Sequence, residues 1–264
     1  MKKKISLINL GCPRNLVDAE LMLGALSQDE NYLITDEIEG SDLVIINTCV
    51  FVESAKNENI EVILKAVDLK NNGDLGSIIV AGCFGQRYTE ELKQEIPEID
   101  AVLGIDSFCH IEEAVKAVLA GGKFSRRGST DVLYPDKQPR MLTTPAHYTY
   151  LKIAEGCRNY CSYCIINKIR GGLRSRSMEA VLEEFESLSN GGKLSEINII
   201  AQDTTSYGVD IYNESKLAQL LSRMSALDNV HWIRLLYTHP AYFTDELIRV
   251  IAENQAICRY IDLP

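Results

Sequence analysis

Three cysteines share one short stretch of the chain, with the spacing Cys157-x3-Cys161-x2-Cys164. Cysteine thiolates are the usual protein ligands of iron–sulfur clusters, and three of them can hold three irons of a [4Fe–4S] cluster. No fourth cysteine is near in the sequence, so one iron would stay open to a small molecule. A structural zinc site needs four ligands, and the nearest candidate, His147, lies upstream across a predicted strand. The pattern favours the cluster over zinc.

Three further cysteines each follow a predicted strand in the first half of the chain: Cys12, Cys49 and Cys83. The carboxyl ends of parallel strands lie along one edge of a sheet, so these residues are expected to gather in space. Each one alone is better explained as a small buried apolar residue, a common role of free cysteine. Three at equivalent positions favour a second iron–sulfur cluster.

The stretch from Cys157 to Arg176 is basic and contains no acidic residue. Its cations beside the cysteines predict a surface that attracts a carboxylate or phosphate, although a merely solvated face is the alternative. These cations are Arg158, Lys168, Arg170, Arg174 and Arg176.

The first 120 or so residues alternate between strand and helix patterns, which predicts an α/β domain with a doubly wound parallel sheet. We expect strands at 5–10, 43–46, 77–81 and 100–103, and helices at 15–26, 52–69, 90–95 and 111–119. The last helix stops at Gly121-Gly122, a typical end signal. This domain is assigned to residues 1–122.

Residues 123–145 contain Pro135, Pro139 and Pro145 and are predicted to be a linker. A second α/β series, residues 146–264, resembles part of a β/α barrel, whose chemistry lies at the carboxyl ends of the strands. We expect strands at 150–154, 197–201, 231–236 and 259–263, and helices at 178–188, 216–226 and 245–253. The first of these helices should end near Asn190-Gly191-Gly192.

The net charge of −10 over 264 residues argues against nucleic-acid binding over the whole surface. Residues Met1 to Lys4 imitate the start of a signal peptide, but no cleavage site follows, and no apolar run is long enough to span a membrane. The sequence therefore predicts a cytoplasmic protein with reduced thiols and no membrane partner.

Taken together, these motifs resemble the methylthiotransferases of the radical S-adenosylmethionine (SAM) superfamily, along the whole chain. The cysteine loop, with Tyr163 before its last cysteine, is similar to the superfamily's cluster loop, and residues 150–156 resemble the family's lead-in to it. Cys12, Cys49 and Cys83 match the cysteines that hold an auxiliary [4Fe–4S] cluster in this family. One departure is Asn167, where the family usually has proline.

Short motifs separate the branches of this family by substrate. Residues 10–18 carry Pro13-Arg14, typical of the ribosomal-protein branch, where the transfer-RNA branch usually has Gln-Met. Residues 200–208 and 232–237 also resemble the ribosomal-protein branch.

The resemblance implies two [4Fe–4S] clusters and SAM as cofactors. SAM would bind the open iron held by Cys157, Cys161 and Cys164, and its one-electron reduction would produce a radical. That radical would take hydrogen from the β-carbon of an aspartate in the twelfth small-subunit ribosomal protein. Sulfur from the second cluster and a methyl group from a second SAM would complete the methylthio group. An external one-electron donor such as a flavodoxin is implied, and no direct nucleic-acid substrate.

The resemblance also suggests ligand contacts. Gln202 and Asp203 follow the second barrel strand, where the superfamily often contacts the SAM amino group, although strand-end residues that cap a turn are an equal alternative. Tyr163 is expected beside the adenine, or simply packed. Arg174 and Arg176 would pair with the carboxylate of SAM or of the substrate, or remain solvated.

The chain ends at Pro264 on a predicted strand, before the last barrel strands and the terminal β-barrel domain that the resemblance implies. Two alternatives therefore accompany the ribosomal-protein assignment. One is transfer-RNA adenosine methylthiolation, which the acidity of the chain disfavours. The other is a catalytically incomplete iron–sulfur fragment.

Overall fold

A computed structural model of the chain describes residues 2–133, 135–189, 194–227 and 230–264. The chain divides into two compact units. Unit 1 comprises Met1–Val132 and Gln138–Met141, and unit 2 comprises Leu133–Lys137 and Leu142–Pro264.

Unit 1 is built on a parallel sheet that has six strands in the described part of the chain. The strands are β1 (Lys3–Asn9), β2 (Tyr32–Thr35), β3 (Ser41–Thr48), β4 (Leu75–Gly82), β5 (Ala101–Leu103) and β6 (Phe124–Arg126). Their order is β2-β1-β3-β4-β5-β6, and every neighbouring pair is parallel. The central strands β3 and β4 carry long apolar runs because both faces of the sheet are covered.

The helices of unit 1 connect these strands. They are α1 (Pro13–Leu26), α2 (Glu53–Asn72), α3 (Cys83–Arg87), α4 (Thr89–Glu95) and α5 (Ser107–Leu119). Helix α1 begins with Pro13, whose fixed φ and missing N–H suit the first helical turn. Helix α2 ends at Gly73, which adopts the left-handed conformation.

The strand order places a topological switch point between β1 and β3. From β1 the chain passes through α1 to β2 on one side, and from β3 it passes through α2 to β4 on the other. Right-handed crossovers in opposite directions put helices on both faces, which confirms the doubly wound prediction. In such folds the ligand crevice lies at the carboxyl ends of the strands beside the switch point.

Three elements of unit 1 were not expected from the sequence. Strand β2 has only four residues and lies at the edge of the sheet, where none of its side chains is fully buried. Strand β6 lies inside residues 123–145, the segment predicted as a linker. Its three residues, Phe124–Arg126, pair with β5 as the opposite edge strand, and their polar character hid them. Helix α3 is a short turn that begins directly at Cys83.

Unit 2 contains a parallel three-stranded sheet with the order β11-β10-β7 and a separate small hairpin of β8 and β9, within the described residues. The strands are β7 (Tyr148–Lys152), β8 (Ala154–Glu155), β9 (Arg174–Ser175), β10 (Glu196–Ile200) and β11 (Trp232–Leu235). The helices are α6 (Ile166–Arg170), α7 (Met178–Ser189), α8 (Val209–Tyr212), α9 (Leu217–Ser225) and α10 (Asp245–Glu253). Two 3₁₀ turns cover Thr204–Ser206 and Pro240–Tyr242.

The core of unit 2 forms where amphipathic helices pack on the sheet. Val181 and Phe185 of α7 and Leu221 of α9 are fully buried, together with Ile199 of β10. The predicted end of α7 near residues 190–192 lies outside the described residues. This arrangement is the beginning of a β/α barrel, so the carboxyl ends of β7, β10 and β11 share one edge.

The strand predicted at 259–263 is wrong. One isolated parallel bridge joins Ile233 to Ile257, and no named strand follows it among the described residues. Farther along, Asp262 is bound through both its side chain, which accepts from the amide of Tyr237 at 2.7 Å, and its carbonyl, which accepts from the amide of Thr238 at 3.0 Å, without forming a strand.

In the part of the chain that the structure describes, no helix is both long and apolar enough to cross a bilayer.

Candidate functional site

The three cysteines of unit 2 lie on one closed loop, residues 156–171, which we call the cluster loop. It begins after β8, at the carboxyl end of β7, and ends with α6. The amide of Cys157 donates to the carbonyl of Gly171 at 3.2 Å, and the side chain of Asn167 donates to the carbonyl of Cys157. Asn167, which replaces the family's proline, therefore helps to tie the two ends of the loop together.

The three thiols of the cluster loop are half-buried. Burial raises the pKa of the Cys157 thiol, and the nearby thiols of Cys161 and Cys164 raise it further. The backbone N–H of Asn159 opposes this shift because it donates to the Cys157 sulfur at 3.4 Å. The amide of Cys164 donates to the carbonyl of Cys161 at 3.0 Å, so the second and third cysteines share one tight turn.

These residues fit an iron–sulfur cluster by the number and kind of their donors. Three thiols on one loop supply three sulfur ligands, as a [4Fe–4S] cluster with one open iron requires. Within the described residues, no three cysteine, histidine or carboxylate side chains are arranged to hold a single metal ion. The donor set therefore supports Cys157, Cys161 and Cys164 as cluster ligands, and this use of the three thiols remains a prediction.

A buried carboxylate, Glu155, lies directly before the cluster loop. Arg170 donates to both of its oxygens at 3.1 and 3.0 Å, and Lys152 donates at 3.0 Å. Burial alone would raise the pKa of Glu155, but Arg170 and Lys152 hold that pKa well below its ordinary value. The carboxylate is thus charged, and it also accepts from the amide of Gly156 at 3.2 Å.

Gln202 is held in place by this carboxylate. Its Nε2 atom donates to Glu155, which fixes the plane of the amide. Its Oε1 atom is buried and accepts no hydrogen bond from the described residues. A buried acceptor without a donor is costly, so this atom is suited to a ligand N–H such as an amino group. The geometry thus favours a ligand contact by Gln202 over a turn cap.

Asp203 has a different environment. Its carboxylate accepts from the amide of Thr205 at 3.0 Å and from its hydroxyl, and from the hydroxyl of Ser206 at 2.6 Å. It also accepts from the side chain of Asn159 at 2.9 Å. Asp203 therefore caps the turn after β10 and binds the cluster loop, which favours the capping alternative.

Two further residues that were expected to contact a ligand are Tyr163 and Arg174. Tyr163 is 83% exposed on the cluster loop, and the Cys161 thiol raises its pKa. Arg174 donates to the carbonyls of Gly172 at 2.7 Å and Arg170 at 3.0 Å. Contacts of Tyr163 and Arg174 with a ligand remain predictions.

Arg176 does not have either role that was expected for it in the basic stretch at residues 157–176. Its side chain is buried, with ion pairs to Glu184 at 2.5 Å and to Asp136 at 3.1 Å. Burial and two protein carboxylates exclude both a solvated role and a ligand pair in this arrangement. Because Arg170 is likewise paired with Glu155, the basic surface is smaller than the sequence suggests.

The cysteines of unit 1 follow three neighbouring strands. Cys12 comes after β1, Cys49 after β3, and Cys83 after β4, so all three lie at the carboxyl edge of the sheet and two flank the switch point. The prediction that these strand ends gather is confirmed for the backbone. The use of the three thiols as cluster ligands remains a prediction.

A buried side chain, Asn15, lies among the three loops. Its amide donates to the carbonyls of Thr48 at 2.7 Å and Leu10 at 3.4 Å, directly before Cys49 and shortly before Cys12. Its Oδ1 atom lies 3.7 Å from the Cys83 sulfur, within range of a thiol hydrogen bond. Asn15 therefore connects all three cysteine segments.

Close approach of these loops requires glycine at residue 11. Gly11 has a φ of +112°, and a Cβ atom there would lie 2.6 Å from the Cβ of Cys49. Any larger residue would push the Cys12 and Cys49 segments apart. On the other side, Asn59 of α2 donates from its side chain to the carbonyl of Cys49.

The sequence did not reveal the polar residues that hold these segments, namely Asn15, Asn59, Glu155 and Asn159. Lone asparagines and a single glutamate carry no spacing signal, because their partners include residues 15 to 83 positions away, such as Arg170 for Glu155, Thr48 for Asn15 and Tyr242 for Asn159. One available signal was glycine directly before Cys12, Cys83 and Cys157, since glycine marks sharp bends and close backbone approach.

Comparison with known families agrees with this division of the chain. Residues 4–104 match the uncharacterized protein family UPF0004, and residues 151–264 match the Radical SAM superfamily. The structure of the radical SAM methyltransferase TsrM from Kitasatospora setae matches with a TM-score of 0.62. At 13% identity over 97% of this chain and 58% of TsrM, that similarity shows the fold. The chain thus has the fold of a radical SAM enzyme.

Curated relatives indicate which group of radical SAM enzymes this chain resembles. The ribosomal protein uS12 methylthiotransferase RimO of Desulforamulus reducens is 48% identical over 98% of this chain. The protein of the same name from Clostridioides difficile is 44% identical over 99% of this chain. This chain spans 58% of the length of each relative. Over nearly its whole length the chain is therefore similar to radical SAM methylthiotransferases of the ribosomal-protein branch.

Proposed function

We propose that this chain carries the two cofactor centres of a methylthiotransferase that modifies an aspartate of ribosomal protein uS12. The single observation that carries the proposal is the presence of two separate cysteine triads, each at the carboxyl edge of its own parallel sheet. The names of the relatives at 44–48% identity support uS12 as the substrate.

In unit 2, Cys157, Cys161 and Cys164 would hold one [4Fe–4S] cluster, and Gln202 would accept a hydrogen bond from the amino group of SAM. The Oε1 atom of Gln202 is aimed by the bond between its Nε2 atom and Glu155. Tyr163 and Arg174 are the proposed contacts for the adenine and for a carboxylate.

In unit 1, Cys12, Cys49 and Cys83 would hold the second cluster at the sheet edge beside the switch point. When bound, the two clusters and SAM supply reductive SAM cleavage, hydrogen abstraction, and the sulfur that is inserted. The protein's own contribution is to place the thiols. Gly11 and Asn15 bring the three segments together, and Asn59 fixes the backbone at Cys49.

The remaining partners follow from this function. The substrate would be a protein, and the chain would take single electrons from an external donor such as a flavodoxin. A ribosomal-protein substrate favours a cytoplasmic location and needs no membrane or nucleic-acid partner. We assign residues 1–132 with 138–141 to the auxiliary-cluster unit and residues 133–137 with 142–264 to the SAM unit.

The proposal is tested by anaerobic reconstitution of this chain with iron and sulfide, followed by reaction with SAM, dithionite and purified uS12. We expect 5′-deoxyadenosine and methionine as products of SAM cleavage. We also expect replacement of one β-hydrogen of a uS12 aspartate by an S–CH₃ group, located by tandem mass spectrometry.

Two triple variants separate the steps. Replacement of Cys157, Cys161 and Cys164 by alanine should abolish both SAM cleavage and modification. Replacement of the unit 1 triad by alanine should preserve SAM cleavage and abolish methylthiolation. Modification of transfer RNA in place of uS12 would overturn the substrate assignment. Absence of SAM cleavage in the reconstituted wild type would favour the incomplete-fragment alternative.

A further inference from the structure

A series of hydrogen-bonded polar side chains, none of them a cysteine, connects three segments of unit 2. The hydroxyl of Tyr242 donates to Asn159 Oδ1 at 2.7 Å, and Asn159 Nδ2 donates to Asp203 at 2.9 Å. Both polar atoms of the Asn159 side chain are therefore used. Asn159 itself lies between the first two cysteines of the cluster loop.

Both anchors of Asn159 are fixed by their own surroundings. Asp203 is buried and accepts hydrogen bonds from Thr205 and Ser206 in the turn that follows β10. Tyr242 belongs to the 3₁₀ turn after β11, and this turn is joined to the β10 turn by the amide of His239, which donates to the Thr205 hydroxyl at 3.1 Å. Asn159 thus binds to two turns that are already connected.

The backbone of the same residue faces a cluster ligand. The N–H of Asn159 donates to the Cys157 sulfur at 3.4 Å. Hydrogen bonds to ligand sulfur stabilise the more negative, reduced form of an iron–sulfur cluster and thereby raise its reduction potential. A side chain that fixes this N–H therefore acts on the cluster without touching it.

We propose that Asn159 is a positioning residue that sets the reduction potential of the unit 2 cluster. The clamp formed with Asp203 and Tyr242 holds the Asn159 N–H against the Cys157 sulfur. This inference rests on the proposed cluster at Cys157, Cys161 and Cys164, but it requires neither uS12 nor SAM.

The experiment measures the cluster's midpoint potential in the full chain, with Cys12, Cys49 and Cys83 replaced by alanine so that one cluster remains. In this background Asn159→Ala should shift the potential to a more negative value. Tyr242→Phe, which removes one anchor and keeps the ring, should give a smaller shift in the same direction. Ser162→Ala, at an exposed position of the same loop, is the control and should leave the potential unchanged.

A second measurement uses the protein without a cluster. The backbone amide at position 159 should exchange its hydrogen faster in the Asn159→Ala and Tyr242→Phe variants than in the Ser162→Ala variant. Iron content equal to that of the parent protein, together with these changes, supports the inference even if uS12 is not modified. An unchanged potential in Asn159→Ala with full iron content would overturn it, as would unchanged exchange in both anchor variants. Failure of the parent to bind iron would instead contradict the proposed cluster.

Discussion

Arg170 donates hydrogen bonds to both carboxylate oxygens of Glu155, at 3.1 and 3.0 Å, and both side chains are buried. Arg170 ends the helix that closes the cluster loop, whereas Glu155 lies directly before the loop begins. The ion pair therefore joins the entrance and the exit of the segment that carries three cysteines. The same carboxylate holds Gln202, which follows the neighbouring strand β10, so one anion organises both the loop and the proposed SAM contact.

Replacement of this anion should destabilise unit 2. Glu155→Gln keeps the shape of the side chain but leaves two buried cations without their carboxylate, at a cost of about 3–5 kcal/mol in the free energy of unfolding. Urea unfolding of the metal-free chain, followed by the fluorescence of its single tryptophan, Trp232, measures this loss. The matched control is Glu196→Gln, which breaks a more exposed pair with Arg234. A cost as small as that of the control would contradict the assigned role of Glu155.

The charge on Glu155 also predicts a pH dependence. Because the pKa of Glu155 is lower in the folded protein than its ordinary value of 4.5, the unfolded chain takes up the proton first as the pH falls. The stabilisation is therefore complete above that ordinary value and declines as the pH falls below it. Unfolding measured from neutral pH downward should show a smaller acid loss in Glu155→Gln than in the wild type. Equal acid losses would show that this carboxylate titrates normally.

Tyr237 is expected to be strained. It follows β11 with a φ of +57°, which side chains rarely adopt, and Asp262 holds its amide. Because only glycine enters this region without a steric penalty, Tyr237→Gly should be more stable than Tyr237→Ala by about 1 kcal/mol. At the preceding residue, the Leu236→Gly variant should instead be less stable than the Leu236→Ala variant. The same fluorescence-detected unfolding measures the stability of all four variants. If the alanine variant were more stable than the glycine variant at both positions, strain at Tyr237 would be ruled out.

In unit 1 the sensitive residue should be Asn15. Asn15→Ala leaves the buried carbonyl of Thr48 without its side-chain donor, which costs about 1–3 kcal/mol. Hydrogen exchange of buried amides in β3 reports this change as a lower opening free energy. Asn31→Ala, in an exposed turn of the same unit, should cost much less. Equal protection in the two variants would mean that Asn15 does not hold the cysteine segments.

Much of the fold could be predicted because its signals are local. Continuous apolar runs marked β3 and β4, and amphipathic spacing marked α10 with the observed bounds Asp245–Glu253. The elements that were missed, such as β2 and β6, are short edge strands whose exposed faces weaken the apolar pattern. A strand was wrongly expected at 259–263 because apolar composition does not show whether backbone pairing continues.

The candidate site was predictable in its cysteines and less so in its supporting residues. Strand ends in a parallel sheet share one edge, so the position of Cys49 followed from the positions of its neighbours along the chain. Arg176 could not be assigned from sequence, because nothing in the sequence shows that it is buried between Glu184 and Asp136, the second of which lies 40 residues away. Burial reversed its expected role, since a charge removed from water needs a protein partner.

The most direct test of the account is the iron and acid-labile sulfide content of the anaerobically reconstituted chain. Two [4Fe–4S] clusters predict about eight irons and about eight sulfides per chain. Replacement of the Cys12, Cys49 and Cys83 triad by alanine should reduce the content to about four of each, and so should replacement of the Cys157, Cys161 and Cys164 triad. A wild type with about four irons, none of which is lost with the unit 1 triad, would contradict the central claim that each unit holds its own cluster.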